Sequence, residues 1–271
     1  MDCDVTGIGF FDSHAHYYDD RFYGEENPVG AEKLLDELFK NGLEGVINVG
    51  TNHITNLRAI EQAKKYDRMY VAVGIHPEDI EKSDVGLRGE LEELEKLLRQ
   101  RKDNKIVALG EIGLDYYWKE LNREVENSCF EAQMEMARRF EIPVVIHDRE
   151  AHGDSMDMVV RFPDVTGVFH SYSGSAEMAK ELVKRGWYIS FSGVVSFKNA
   201  TKIKEVARIV PDDRILIETD APYLAPHPFR GKINHSGLLL YTAMALAEQR
   251  SCTVGDIARL TRQNTRNLFG V

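Results

Sequence analysis

The sequence has no long apolar run and few cysteines. No apolar run approaches the roughly 20 residues of a membrane-spanning helix, and Met1 is followed by Asp2 and Asp4 rather than by the basic residues of a secretion signal. The three cysteines are odd in number and far apart, which argues against a disulfide framework or a cysteine-based zinc site. These features predict a cytoplasmic protein with no membrane partner.

Basic residues are outnumbered by acidic residues: the chain has 34 Lys and Arg against 44 Asp and Glu, and its net charge is −10. This balance opposes wholesale coating of duplex nucleic acid, which needs a broad basic surface. It leaves room for a short phosphate-bearing substrate held locally by a metal and a few cations. With 271 residues, the chain can bury a full core, and its length suits one large α/β domain or two small ones.

Apolar strand-like runs alternate with amphipathic helix-like segments along the whole chain. The predicted strands are Ile8–His14, Gly45–Val49, Met69–Ile75, Ile106–Ile112, Pro143–His147, Gly167–His170, Trp187–Ser192 and Ile215–Thr219. The predicted helices are Ala31–Lys40, Ile54–Tyr66, Glu90–Lys102, Arg123–Phe140, Ser155–Val160, Ala176–Lys184, Lys202–Ile209, Leu238–Arg250 and Val254–Leu268. Eight such units in about 250 residues predict an α/β fold, the TIM-type (β/α)8 barrel. The alternative is an open doubly wound sheet, but no G-x-G-x-x-G follows the first strand. No linker or repeat divides the chain, so one domain over residues 1–271 is expected.

Residues of metal-binding type recur at the ends of the predicted strands. They are His14, His16, His76, Glu111, His147, His170 and Asp220. In a (β/α)8 barrel the carboxyl ends of the strands form one rim, where active sites lie. The H-x-H pair alone is weak, because it is also compatible with a solvated pair. The full set exceeds the needs of one tetrahedral zinc and suits two divalent ions roughly 3.5–4 Å apart. Nitrogen and oxygen donors without thiolate fit Mg, Mn or Zn and do not choose among them.

Seven sequence blocks carry a resemblance to a known family. They are Asp12-Ser13-His14-Ala15-His16, Val73-Gly74-Ile75-His76-Pro77, Gly110-Glu111-Ile112-Gly113-Leu114-Asp115-Tyr116, Pro143-Val144-Val145-Ile146-His147-Asp148-Arg149-Glu150-Ala151, His170-Ser171-Tyr172-Ser173-Gly174, Glu218-Thr219-Asp220-Ala221-Pro222-Tyr223-Leu224 and Arg230-Gly231-Lys232-Ile233-Asn234. The chain resembles the TatD-like metal-dependent deoxyribonucleases of the amidohydrolase-like barrel superfamily. The blocks occur in the family's order over essentially the whole chain.

The resemblance implies a role for each site residue. His14, His16 and Asp220 are similar to the ligands of one metal, Glu111 to a bridging ligand, and His147 and His170 to the ligands of the second metal. Asp220 also resembles the residue that orients or deprotonates the attacking water. His76 resembles a residue near the scissile phosphate, and Arg230 and Lys232 resemble substrate-binding positions that face a phosphate. The chain departs from the family at Tyr117 and Trp118, which replace a frequent histidine and affect the expected substrate preference more than catalysis.

The predicted function is that of a metal-dependent hydrolase of phosphodiester bonds, a 3′-5′ exodeoxyribonuclease. Its expected catalytic residues are Glu111, Asp220 and His76, its cofactors two divalent metal ions, and its substrate single-stranded DNA or DNA 3′ ends. No obligate protein partner is implied. Two further classes stay open. One is a hydrolase of another bond on the same site, such as an aminoacyl-tRNA deacylase or, with less support, an amidohydrolase of cyclic amides. The other is a non-catalytic metal-binding or nucleic-acid-binding module.

Overall fold

The computed structural model describes residues 8–24, 30–80, 84–118 and 122–271. Over these ranges eight strands occur at the positions that the sequence predicts. They are β1 (Phe11–Ala15), β2 (Gly45–Val49), β3 (Met69–Val73), β4 (Ile106–Asp115), β5 (Val144–Arg149), β6 (Gly167–Phe169), β7 (Tyr188–Phe191) and β8 (Ile215–Ile217).

Within the described residues one α-helix follows each strand from β1 to β7, and two follow β8. They are α1 (Gly30–Lys40), α2 (His53–Ala63), α3 (Asp84–Arg99), α4 (Arg123–Phe140), α5 (His152–Arg161), α6 (Ala176–Lys184), α7 (Thr201–Ile209), α8 (Leu239–Arg250) and α9 (Val254–Phe269). No helix within the described ranges combines the length and apolar character that a membrane crossing requires.

The chain divides into two compact units. The first unit contains the described residues up to Asn48 together with His170–Val271, and the second contains Val49–Phe169. In the first unit β1 pairs with β2 and β7 with β8, both in parallel, and a parallel bridge joins Ala15 to Ala221. In the second unit β3, β4, β5 and β6 pair in that order, also in parallel. Parallel neighbours joined through helices are the βα units that the alternating pattern predicts.

Most elements begin and end within three residues of their predicted bounds, and α3 shows the largest shift. The predicted helix Glu90–Lys102 begins earlier, at Asp84, and ends at Arg99, so it includes Gly86 and Gly89 despite their low helix propensity. Strand β4 continues past Ile112 through Gly113, whose φ is +140°. A Cβ at Gly113 would lie 2.0 Å from the carbonyl oxygen of His147, so only glycine lets β4 run beside β5 there.

Side-chain amides fix the backbone at the carboxyl end of β3. Asn56 of α2 donates to the carbonyl of Gly74 (3.0 Å) and accepts from its N–H (3.2 Å). Gln133 of α4 makes the same two-way contact with Ile75, at 3.0 and 2.8 Å. Both amide residues are buried. Because buried backbone groups need partners, these clamps define the path of the segment that leads to His76.

Candidate metal centre

The first unit brings three predicted ligands to the end of β1. His14 and His16 point to the same face because they are two residues apart on an extended segment, and their Nε2 atoms lie 3.1 Å apart. The Oδ1 atom of Asp220, in the segment after β8, is 3.7 Å from Nε2 of His14 and 3.3 Å from Nε2 of His16. We call these three residues the first triad; their ligand atoms all lie within 4.8 Å of one another.

Neighbouring side chains orient the imidazoles around this triad. The hydroxyl of Tyr18 lies 3.1 Å from Nδ1 of His16, so the Nε2 atom of His16 faces the triad. The ring of His170 stacks on that of His14 with their centroids 4.2 Å apart, and Nδ1 of His170 lies 3.2 Å from Oε1 of Glu218. A carboxylate on the second ring nitrogen is the usual way in which a metal-binding histidine is held in place.

Asp220 has an unusual backbone conformation and an ionised side chain. Its φ is +58°, in the left-handed region that few residues other than glycine adopt, although Asp tolerates it. Burial alone would raise the pKa of its carboxyl. The hydrogen bond from His16 and the charge interactions with His14 and His170 outweigh that effect and lower the pKa below its usual value. The residue is therefore a carboxylate aimed at two imidazoles.

Asp12 organises the backbone behind the first triad, a role that the sequence does not predict. It is fully buried. Its carboxylate accepts hydrogen bonds from the N–H and hydroxyl of Thr219, at 3.0 and 2.6 Å, and from the hydroxyl of Ser236 at 2.6 Å. It also accepts from the N–H of His14 at 3.3 Å. Asp12 thus joins the segments that carry His14 and Asp220, and the sequence signal for it is only its place in the D-S-H-A-H block.

The second unit contains a second triad, formed by His76, Glu111 and His147. Oε1 of Glu111 is 2.8 Å from Nδ1 of His147 and 3.5 Å from Nε2 of His76. The two histidine rings meet edge to face with their centroids 4.3 Å apart. The ligand atoms all lie within 4.8 Å of one another. The sequence places His76 near the scissile phosphate, whereas this geometry makes it a candidate ligand as well.

Asp115 supports the second triad from behind His147, and it was not singled out from the sequence. Its Oδ2 lies 3.0 Å from Nε2 of His147. Its backbone N–H donates to Glu126 of α4 at 2.9 Å. Burial opposes ionisation of Asp115, but the hydrogen bond and charge of His147, the N–H of Tyr117 and the charge of Arg149 outweigh it and lower the pKa. The resulting carboxylate fixes the His147 ring.

The predicted phosphate-facing residues lie in the segment between β8 and α8. Arg230 and Lys232 are both exposed. The guanidinium of Arg230 lies over the ring of Phe197, 5.0 Å from its centroid. Their role in substrate binding stays a prediction.

The donor sets of both triads fit a divalent metal ion. Ligands about 2.1 Å from a tetrahedral ion lie about 3.4 Å from one another, close to the separations of 3.1, 3.3 and 3.7 Å in the first triad. The imidazole and carboxylate donors suit Zn, Mn and related ions. His14 and Glu111 are buried, with 0% and 3% of their surface exposed. Burial of such polar groups is costly unless hydrogen bonds or a cation satisfy them.

Comparison with known proteins shows the class and the family. The family model described as TatD related DNase matches residues 11–270. YabD of Bacillus subtilis, named an uncharacterized metal-dependent hydrolase, is 36% identical over 96% of this chain and 99% of its own length. The hydrolase TatD of Mycobacterium tuberculosis is 33% identical over 96% and 97% of the two chains. The crystal structure of the TatD homologue YjjV from Escherichia coli matches with a TM-score of 0.86 at 29% identity, over 97% of this chain and 98% of that one.

These matches confirm the predicted fold class, a (β/α)8 TIM-type barrel. A barrel of this kind with histidine and carboxylate triads at its strand ends defines a metal-dependent hydrolase. The chain belongs to the TatD family of such hydrolases.

Proposed function

We propose that this hydrolase cleaves phosphodiester bonds of DNA and removes nucleotides from a single-stranded 3′ end. The observation that carries the proposal is the pair of largely buried triads, each with its ligand atoms within 4.8 Å, in a chain that matches the TatD related DNase family. Two ions are the arrangement that many phosphodiesterases use to hold the attacking and leaving oxygens. The net charge of −10 suits a substrate held at one cleft rather than along a duplex.

The first triad, His14, His16 and Asp220, holds one ion in this proposal, and Glu111 and His147 hold the other. The structure adds His76 as a candidate ligand beside Glu111. The family resemblance further implies that Glu111 is shared between the ions and that His170 binds the second, and both assignments stay predictions. The donor atoms leave Mg, Mn and Zn as candidate metals.

Bound divalent ions supply a polarised phosphate and a water whose pKa is lowered toward neutrality. The protein's own contribution is to place proton acceptors around that water. Asp220 stays ionised and presents Oδ1 to the imidazoles of the first triad, so Oδ1 can hold the ion while Oδ2 accepts the water proton. Arg230 and Lys232 are exposed cations that can bind the terminal phosphate group of the substrate.

The same proposal includes the domain organisation and location expected from the sequence. We take residues 1–271 as one functional domain, in keeping with a family match that continues from residue 11 to residue 270. We place the enzyme in the cytoplasm and assign it no obligate protein partner.

The direct test is the product pattern from labelled single-stranded DNA. The purified protein is loaded with Mg, Mn or Zn in turn and given one oligonucleotide labelled at its 5′ end and one labelled at its 3′ end. A 3′-5′ exonuclease releases the 3′ label as a mononucleotide at once and shortens the 5′-labelled strand by single steps. Glu111→Ala should abolish this turnover because it removes a ligand, whereas Glu135→Ala, an exposed residue of α4, should leave it unchanged.

Circular dichroism shows whether Glu111→Ala is folded, which separates loss of a ligand from loss of structure. A folded but inactive variant is expected. Full activity of that variant would refute the two-metal proposal. An aminoacyl ester offered in parallel separates the deacylase alternative, because efficient cleavage of the ester with intact DNA would replace DNA as the substrate. Tight DNA binding in metal with no product over hours would instead indicate a binding module.

A further inference from the structure

Two large aromatic side chains are exposed directly after β4. Tyr117 and Trp118 have 47% and 43% of their surface accessible, which is uncommon for rings of this size. Their rings meet edge to face with centroids 4.9 Å apart and an interplanar angle of 85°. The pair therefore presents two nearly perpendicular ring surfaces to solvent.

A guanidinium group lies on these rings. Cζ of Arg149, the last residue of β5, is 3.8 Å from the centroid of Tyr117 and 5.7 Å from that of Trp118. Nearby, Cζ of Arg123 lies 4.1 Å from the ring centroid of Tyr116. We call Tyr117, Trp118 and Arg149 the aromatic platform. It combines flat apolar surface with positive charge in a chain whose net charge is −10.

The platform is continuous with the second triad. Arg149 lies 3.8 Å from Oδ2 of Asp115, and the same oxygen is 3.0 Å from Nε2 of His147. The backbone N–H of Tyr117 donates to Oδ1 of Asp115 at 3.0 Å. One carboxylate therefore fixes both the candidate ligand His147 and the start of the aromatic pair, so an extended substrate at His147 can reach the platform.

We propose that the aromatic platform is a nucleobase-binding subsite, on which a base of single-stranded nucleic acid stacks while Arg149 faces the adjoining phosphate. Stacking on aromatic rings with arginine nearby is the common means of holding single strands without sequence preference. The proposal rests on the proposed function, because it supplies the substrate contact for that same site. Positive charge favours a polyanion over a neutral or basic protein surface as the occupant.

The two tryptophans make the binding directly measurable. Trp118 is 43% exposed, whereas Trp187 is 1% exposed and serves as an internal reference. The metal-loaded protein is titrated with a phosphorothioate-linked single-stranded tetranucleotide, which resists hydrolysis, and with an abasic tetramer of the same backbone. Base-dependent quenching of tryptophan emission is expected for the first ligand only, and Trp118→Phe should remove this quenching.

Affinity is measured separately by the anisotropy of a dye-labelled copy of the tetranucleotide. Trp118→Ala and Tyr117→Ala should each raise Kd roughly 5- to 100-fold, the range for loss of one stacked base, and should not alter binding of the abasic tetramer. Tyr23→Ala removes an aromatic residue of similar exposure, 50%, and should leave both affinities unchanged. Trp118→Phe, which keeps a stacking ring, should bind almost as tightly as the wild type.

Equal affinity for the base-bearing and abasic ligands would overturn the subsite, as would an unchanged Kd in both alanine variants. Either result would also follow if the platform served a protein partner. Failure of the proposed function would give a different result: the tetranucleotide would quench the emission of Trp118, but DNA would not be hydrolysed with Mg, Mn or Zn. Conversely, normal hydrolysis with an unchanged KM in Trp118→Ala would keep the function and reject the subsite.

Discussion

His235 should make the protein lose stability in mild acid. The residue is buried, with 8% of its surface exposed, and precedes the short helical turn Ser236–Leu238. Its Nδ1 accepts the backbone N–H of Gly237 at 3.2 Å, which requires a ring nitrogen without a proton. Burial lowers the pKa of His235 from 6.5 to about 4. The folded protein therefore keeps this ring neutral at pH values where the unfolded chain protonates it.

The sign and size of the effect follow from proton linkage. Below pH 6.5 the unfolded state takes up a proton that the native state does not, so stability falls as the pH decreases from about 6.5 toward 4. At about 1.4 kcal/mol for each pH unit of this window, the His235 contribution between pH 7 and pH 4.5 is about 2 to 3 kcal/mol. For a chain of this length, that corresponds to a decrease in Tm of about 5 to 10 °C.

The measurement compares thermal unfolding of the wild type and His235→Asn at pH 7, 5.5 and 4.5. Asn keeps an acceptor near the position of Nδ1 for the Gly237 N–H but does not titrate, so its variant should lose Tm less steeply in acid. A difference in Tm that is the same at every pH would reflect the smaller side chain of Asn and would not report on the pKa of His235. Parallel Tm curves over this pH range would refute the assignment of a depressed pKa to His235.

Three further outcomes follow from buried groups. Glu218→Gln should weaken metal binding about 10- to 100-fold in a chelator competition, because the carboxylate that orients His170 is lost, while Glu248→Gln on the surface of α8 should not. Asp12→Ala should lower the free energy of unfolding in urea by about 3 kcal/mol or more, since four buried donors lose their acceptor, and a loss below 1 kcal/mol would contradict this. Cys129, whose pKa burial raises to about 12, should react with a thiol reagent at pH 8 only after unfolding, as mass spectrometry would show.

Most of the fold could be predicted because it depends on local pattern. Each aliphatic run became a strand within a few residues, since a buried parallel strand needs continuous apolar side chains. The predicted strand ends at Ile112, directly before Gly113, a residue type that weakens the interior of a strand. Its actual role, to let β4 pass close to the His147 carbonyl, depends on a residue 34 positions away in sequence. Such close approaches leave no signal in the local sequence.

The candidate site, like the fold, could be predicted only in part from the sequence. The convergence of His14 and His16 could be predicted because their two-residue spacing on a strand already fixes a common face. Asp12, Asp115 and Glu218 lie in the same blocks, but the sequence predicts no role for them because each acts on residues that are distant in sequence. Asp12, for example, binds Thr219 and Ser236, which lie 207 and 224 positions away. A carboxylate that supports a ligand resembles one that binds the metal until the neighbours are known.

These supporting contacts share one physical origin. Backbone groups beyond the end of a strand have no ladder partner, and burial prevents water from replacing it. At the ends of β1, β3 and β4 the partners are side chains, namely Asp12, Gln133 and Glu126. Each fixes a segment that leads into or supports a triad. Folding therefore orders these backbone segments before any metal binds. Substitution of one of the three supporting residues removes no candidate ligand, but it should weaken metal binding because part of the binding energy is then used to order the backbone.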